Sequence, residues 1–449
     1  MLSRRMERAA ARSLVEVDEL PLRSSDRRRE RDFGRENSKK RLLFVIAHLG
    51  AGGAQRVAAN AANILVERGF DVHVVVLNQR ANAYRLDPRV VIHSNSARQT
   101  ALPSFDADPA EPNSAPAKPD SPAEPVERVG FVTSHIKTKV PAAFFNFAVA
   151  VLSPVAFVLR LARLTVTLRR RIKGLEPDAV LSFLTQTNIL TVLATRGLDT
   201  HTVISERNDP RLQRHRPGVE FVRRVVYRWA DVVTANSVGA LIPLEPFVPK
   251  DKLAFLPNPV MTSSTGEGVE YEAPTVVTVG RLVEQKGLDV LLAAWAKVVE
   301  VLPDWRLALV GDGPMASELK ALARGLKIEG NVDWIGHVSD PYPLLRCAKF
   351  FVMTSRFEGM PNALLEAMAC GLPAVVSDSS PGPCELIGAD ESAGLIVPVE
   401  DADATAKAII RLACDETLRR RLGLAARERA RVHEPDQAIG VWLRLLRCE

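Results

Sequence analysis

"RLLFVIAHLGAGGAQRVAANAANILVERGFDVHVVVL", residues 41–77, places two apolar runs on either side of a glycine-rich turn and an alanine-rich stretch. "RLLFVIAHL" (41–49) is continuously apolar, as a strand buried on both faces must be; a half-exposed strand would alternate. "GAGGAQR" (50–56) is the turn, Val57–Glu67 the helix it leads into, and "DVHVVVL" (71–77) a second strand. A strand, a helix and a strand of these lengths make a βαβ unit, so the chain opens on a parallel sheet.

The alternation continues outward. "DAVLSF" (178–183), "HTVIS" (201–205) and "DVVTAN" (231–236) extend the first sheet towards "KLAFLPNPV" (252–260). "MTSSTGEGVEYEA" (261–273) then reads as a linker. A second alternation follows in "PTVVTVGRL", "WRLALVGDGP", "NVDWIGHV", "KFFVMTS" and "PAVVSD". With 449 residues, two domains plus tails is the natural division. The expected organisation is a basic tail over 1–40, a first domain over 41–260, the linker over 261–273 and a second domain over 274–432. A C-terminal helix over 433–449 can return to the first domain. Two doubly wound α/β sheets joined by a short linker face each other across a cleft, and ligands bind at the carboxyl edges of such sheets.

Composition excludes several classes. The five cysteines, at 347, 370, 384, 414 and 448, form no C-x-x-C pair, which argues against a disulfide or zinc framework and for reduced thiols. The net charge of +6 is concentrated in the tail, where residues 1–41 hold thirteen Lys and Arg against eight Asp and Glu. That tail offers one aromatic residue, Phe33, so no aromatic interleaving supports nucleic-acid binding. It also lacks the apolar core of a secretory signal. Residues 97–128, rich in Pro, Ala, Ser and acid, read as a disordered insertion. Residues 140–174 run from apolar to basic, ending in Arg160, Arg163, Arg169, Arg170, Arg171 and Lys173. Three fates stay open for the apolar part: spanning a bilayer, packing in the core, or lying in a membrane interface with the arginines towards anionic headgroups. A second basic run, Arg207 to Arg228, is equally compatible with a solvated helix face.

The chemistry gathers at the second sheet's edge. Arg281 and Lys286 flank a turn that enters a helix, which is the composition of a phosphate site, although surface cations near a loop would look the same. In "SRFEGMPNALLEAMACGLPAVVSD" (355–378), Pro361 favours the first helical turn, leaving Glu358 and Gly359 before the helix and Glu366 more than a turn inside it. One carboxylate can reach a group in front of the helix and the other a group beside it. A ligand with two polyol parts bridged by phosphates fits that spacing, and a nucleotide sugar has this shape.

Arg281, Lys286 and the Glu358-x7-Glu366 pair, in this order, resemble the retaining nucleotide-sugar glycosyltransferases of family GT4, with "GGAQRV" (52–57) resembling that family's glycine loop. "ISERNDP" (204–210), "SFLTQTNIL" (182–190) and "SPGPCELI" (380–387) resemble members that extend lipid-linked or exopolysaccharide oligosaccharides. The resemblance implies the GT-B fold, two Rossmann-like domains facing a cleft. It also implies transfer of a hexose or N-acetylhexosamine from a nucleotide sugar, UDP-linked, to a lipid-linked acceptor. Residue by residue it assigns Arg281 and Lys286 to the donor diphosphate, Glu366 to the ribose and Glu358 to the transferred sugar. Gly359, Met360 and Pro361 would give backbone contacts, Gly53 would approach the diphosphate, and His337 and Val338 would hold the base. Many members carry a His after the fifth strand; here Glu206, Arg207 and Asn208 stand there and are the acceptor candidates. No cofactor and no metal are expected, the Asp-x-Asp matches at 106–108 and 401–403 being chance spacings. The expected partners are the nucleotide sugar, the lipid-linked saccharide and an anionic membrane, not nucleic acid, with the protein peripheral on the cytoplasmic face of the inner membrane. The rival readings are a GT-B nucleotide-sugar epimerase and a non-enzymatic binding protein.

Overall fold

The computed structural model describes residues 39–50, 52–78, 80–94, 142–207, 217–260, 271–388 and 390–449, with the side chains of 142–158 and 217 left aside. The expected tail, bar its last two residues, and the whole insertion over 97–128 lie outside these residues, as do most of the linker and Asn208.

The first sheet consists of β1 (Arg41–Ile46), β2 (Asp71–Val76), β3 (Val91–Ser94), β4 (Ala179–Phe183), β5 (His201–Glu206), β6 (Val232–Ala235) and β7 (Leu253–Phe255). Their order is β3-β2-β1-β4-β5-β6-β7, all parallel. The second contains β8 (Thr275–Val279), β9 (Arg306–Val310), β10 (Val332–Gly336), β11 (Phe350–Met353), β12 (Ala374–Ser377) and β13 (Gly394–Val397), ordered β10-β9-β8-β11-β12-β13 and again parallel. Each sheet builds outward from its first strand, then reverses and builds the other way. That is the doubly wound Rossmann order, and its switch point lies beside the first strand: between β1 and β4 here, between β8 and β11 there.

Covering helices explain the apolar strands. Around the first sheet lie α1 (Gly53–Glu67), α2 (Ala142–Leu175), α3 (Thr185–Thr195) and α4 (Pro217–Val226). The second sheet carries α5 (Leu288–Val301), α6 (Ala316–Gly325), α7 (Tyr342–Cys347), α8 (Asn362–Ala369), α9 (Pro381–Ile387), α10 (Ala402–Cys414) and α11 (Glu416–Ala430). Leu42 to Ile46 have no exposed surface, because α1 packs on one face of β1 and α2 with α3 on the other. Tight backbone approaches set the second domain's edge. Gly311, at φ +142°, sits where a Cβ would fall 1.8 Å from the Gly280 carbonyl, so only glycine lets the β9 turn pass under the β8 turn.

The last helix, α12 (Pro435–Leu446), leaves the second domain and packs into the first. Trp442, fully buried, lies 6.0 Å from Phe44 and 6.2 Å from Phe183 between ring centroids, and its Nε1 donates to the Pro257 carbonyl at 2.8 Å. His433 Nδ1–H donates to the Asn258 carbonyl at 3.0 Å; burial holds this imidazole down at about 4, so it is neutral at pH 7.

Trp442→Ala removes the largest side chain of this joint and is expected to cost about 3–5 kcal/mol. In urea titrations followed by far-UV circular dichroism, the first domain should unfold earlier while the transition of the second is retained. A loss under 1 kcal/mol would mean that α12 does not contribute to the first core.

Candidate active site

Two loops of the second domain bring the first group of side chains together. After β8 the chain passes through Gly280 and Arg281 into a single 3-10 turn, Glu284–Lys286, which Gly287 joins to α5 in a left-handed conformation (φ +58°). Lys286 Nζ then meets Glu358 Oε1 at 2.5 Å, and the same oxygen accepts from Ser355 Oγ at 2.7 Å. The loop that carries Glu358 is fastened from below: Arg356 forms a fork with Asp289 at 3.0 and 2.7 Å, and Gln285 Nε2 donates to the Phe357 carbonyl at 2.8 Å. A bidentate guanidinium–carboxylate pair fixes orientation as well as distance. Arg281, in contrast, is exposed and has no ion-pair partner among the described residues.

Glu366 is the second carboxylate, one turn inside α8 and 3% exposed. Its Oε1 pairs with Arg56 Nη2 at 2.8 Å, a residue of α1 in the other domain, while its Oε2 is buried with no hydrogen-bond partner. Burial pushes this carboxyl up to about 7 even though Arg56 pulls it down. The second domain's carboxylate thus depends on the first domain's guanidinium for its charge. Further polar contacts close the same junction. Asn258 Nδ2 donates to Asn362 Oδ1 at 2.7 Å, Asn362 Nδ2 to the Gly53 carbonyl at 3.3 Å, and Glu385 accepts from the backbone N–H groups of Val238 and Gly239 at 2.9 and 2.5 Å.

Between the domains lies a cleft of about 810 Å³, a volume typical of small-molecule sites. Gly53, Arg281, Lys286, His337, Val338, Glu358, Gly359, Met360 and Pro361 all line it. Of the acceptor candidates, Arg207 lines the cleft and Glu206 does not. Neighbours on a strand point to opposite faces, and Glu206 points inward, accepting from Thr185 Oγ1 at 3.0 Å and from the Tyr227 hydroxyl. Arg56 was not among the residues singled out from the sequence. Its signal was its place three residues after Gly53, a helical spacing that puts both on one face of α1.

Among the described residues no three His, Cys, Asp or Glu side chains converge as metal ligands, and no helix is long and apolar enough to cross a membrane.

A cleft between two Rossmann-like domains, with cations at the edge of one and a glycine turn on the other, is the architecture of GT-B glycosyltransferases, and this chain has that fold. Sucrose-phosphate synthase from Thermosynechococcus elongatus superposes with a TM-score of 0.65 at 18% identity, over 91% of this chain and 98% of its own. Residues 264–429 match the family model described as glycosyl transferases group 1. One relative, at 26% identity over 407 residues (88% of this chain, 96% of the relative), is the N-acetylgalactosamine-N,N'-diacetylbacillosaminyl-diphospho-undecaprenol 4-alpha-N-acetylgalactosaminyltransferase of Campylobacter jejuni. Another, 27% identical over 220 residues (43% of this chain, 56% of the relative), is the UDP-Gal:alpha-D-GlcNAc-diphosphoundecaprenol alpha-1,3-galactosyltransferase of Escherichia coli.

Glu366 also sets a pH dependence. Unfolded, its carboxyl ionises near 4.5; folded, it keeps its proton up to about 7. The native state binds more protons within that window, so the stability this group contributes is complete below pH 4.5 and is lost as pH rises through 7. Glu366→Gln, which cannot ionise, should therefore exceed the wild type in stability at pH 8 by roughly 1–3 kcal/mol and approach it near pH 5. Urea titrations at the two pH values measure this, and a pH-independent difference would show that Arg56 compensates the ionised carboxylate fully.

Proposed function

We propose that the chain transfers a hexose or N-acetylhexosamine from a UDP-sugar to a lipid-linked oligosaccharide or polysaccharide precursor, with retention of anomeric configuration. The observation that carries this reading is the cluster at the second domain's switch point: unpaired Arg281, Lys286 shared with Glu358, and the start of α8 a few residues on, all facing the Gly53 turn. A diphosphate placed there meets two cations, and the flanking carboxylates Glu358 and Glu366 accept hydroxyls of the sugar and the ribose. The relatives' acceptors, diphosphate-linked undecaprenol saccharides, and the UDP-Gal donor of one of them support the substrate classes.

In this reading the bond between the anomeric carbon and the diphosphate oxygen breaks as the acceptor hydroxyl attacks on the same face. The departing phosphate oxygen takes the hydroxyl's proton. Charge grows on the diphosphate, and Arg281 and Lys286 stabilise it without a metal. Purified protein incubated with UDP-sugars and an undecaprenyl-diphosphate saccharide should release UDP only when both are present, with an α-linked product by NMR. An epimerised UDP-sugar formed without acceptor would replace this reading with the epimerase.

Arg281→Ala and Lys286→Ala are each expected to lose about 2–4 kcal/mol of transition-state stabilisation, a fall of roughly 30- to 1,000-fold in kcat/KM. Glu358→Gln should act chiefly on kcat and Glu366→Gln chiefly on the donor KM, since ribose is held alike in ground and transition states. Near-normal turnover in either cation variant removes the diphosphate assignment.

We infer also that the first domain rests on the cytoplasmic face of the inner membrane. Helices α2, α3 and α4 pack side by side and leave Leu159, Val166, Phe221 and Val225 exposed, as is Trp229 in the turn after α4, with Arg163, Arg170 and Lys173 exposed along α2. Two of the arginines expected to face lipid are engaged elsewhere. Arg169 Nη1 donates to the carbonyls of Ala194 and Arg196 at 2.9 and 2.7 Å, closing the end of α3, and Arg171 Nη1 reaches the Ser94 carbonyl at 3.5 Å. With roughly 1 kcal/mol per cation near an anionic surface, replacing Arg163, Arg170 and Lys173 together by Gln should weaken binding to anionic liposomes about 100-fold. Equal partition of the wild type to neutral and anionic vesicles in cosedimentation would refute the electrostatic part.

A further inference from the structure

Arg207 is the one cation lining the cleft that is both buried and without a carboxylate partner among the described residues. Its exposure is 4%, and of its three guanidinium nitrogens only Nη1 is engaged, donating to Asn258 Oδ1 at 2.5 Å. Nε and Nη2 are buried with no hydrogen-bond partner. The guanidinium stacks over the rings of Phe183 and Trp442, 5.1 and 5.7 Å from their centroids. Beside it Asn236, also in the cleft wall, holds the Arg207 backbone in place by donating through Nδ2 to its carbonyl at 3.2 Å.

The other cleft cations are accounted for differently. Arg56 is paired with Glu366, Lys286 with Glu358, and Arg281 and Arg85 are exposed to water. The carboxylate adjacent in sequence, Glu206, is turned to the opposite face and satisfied there. Burial lowers the Arg207 guanidinium to about 9, which leaves it charged at neutral pH. A buried charge with two idle nitrogens destabilises a fold relative to an apolar side chain of the same length. Contact with two aromatic rings would be served as well by Met. What Met cannot do is bind an anion.

We propose that Arg207, oriented by Asn258, forms an anion subsite on the acceptor-domain wall of the cleft, which takes a phosphate or carboxylate group carried by the acceptor. The assignment to the acceptor rests on the glycosyltransferase reading above, in which the donor's diphosphate is held by the opposite domain. Arg207 follows β5 in the first domain, and the chain of contacts Arg207–Asn258–Asn362–Gly53 places it at the junction where the acceptor must meet the sugar. Binding there would give the idle Nε and Nη2 groups their acceptors and would fix the nucleophile's carrier rather than touch the breaking bond. Arg207 is thus a positioning residue.

Thermal unfolding of the full-length protein tests this in saturating UDP, which fills the donor site. Two anions are titrated separately, inorganic pyrophosphate as the probe for a lipid diphosphate and D-glucuronate as the probe for an acidic sugar. One of them is expected to raise the wild-type Tm by about 2–4 °C and to leave that of Arg207→Met unchanged. Without anion, Arg207→Met should melt at or above the wild type, since it removes a buried unpaired charge. Arg207→Gln, shorter and polar, serves as the second variant and should likewise lose the anion response. A response to neither anion, or an equal response in wild type and variants, overturns the subsite; a variant that melts well below the wild type, with no anion response in either, makes Arg207 a structural residue. UDP alone must raise the Tm of all three proteins. Its failure to do so in the wild type would strike the glycosyltransferase reading itself, which keeps the two failures apart.

Discussion

A parallel strand covered by helices on both faces can offer ligands nothing along its length. Every side chain of β1 from Leu42 to Ile46 is spent on packing, and the same holds for Val276 and Val277 of β8. Chemistry is confined to the carboxyl ends, where the chain turns, and there the doubly wound order leaves one crevice per sheet. Gly53 stands at one such end; Arg281, Lys286 and Glu358 stand at the other. What remains for the fold to decide is how the two ends face each other. The return of α12 settles part of it, because Trp442 and Ile439 lock the second domain's last helix into the first domain's core.

The cleft that results contains more charge than it neutralises. Lys286 and Glu358 cancel locally, as do Arg56 and Glu366 across the domain boundary. The second pair couples binding to closure. Glu366 has a buried Oε2 without a hydrogen-bond partner, and on the proposed reading a ribose hydroxyl reaching it would supply one. Separating the domains would withdraw Arg56 and leave the carboxylate to water. On the proposed reading, donor binding and domain closure would favour one another through this one residue.

Sequence pattern carried far where one local rule applied. The apolar runs gave the strands, and Pro361 at the start of α8 fixed which glutamate precedes the helix and which lies inside it. Arg281, Lys286 and the two glutamates lie within one domain, on the segments that follow the adjacent strands β8 and β11. The illegible parts are the ones that join distant segments. Arg56 and Glu366 are 310 residues apart, and nothing in either stretch announces the other. Glu206 looked as available as Arg207 because a sequence shows neighbours and not faces; its burial follows from the Thr185 and Tyr227 hydroxyls, which strand alternation alone could not place. Arg169 belonged visibly to a basic run, yet its guanidinium closes the last turn of α3, where backbone carbonyls would otherwise lack donors.

The same distinction bears on α2. Its second half is core, with Leu164, Leu168 and Ile172 packed against β1 and α3, while Leu159 and Val166 remain exposed. A helix that precedes a parallel strand runs antiparallel to it, so α2 begins at the carboxyl edge of the sheet and ends at the amino edge. Its 34 residues extend about 50 Å, whereas the five of β4 extend about 17 Å. The first half of α2 must therefore project well beyond the sheet, on the side where the cleft opens. On the proposed reading this puts an apolar stretch, "AAFFNFAVAVLSPVAFVL", at the edge to which a lipid-borne acceptor comes. The chain would then need no spanning segment to reach that acceptor, only one helix longer than the strand it serves.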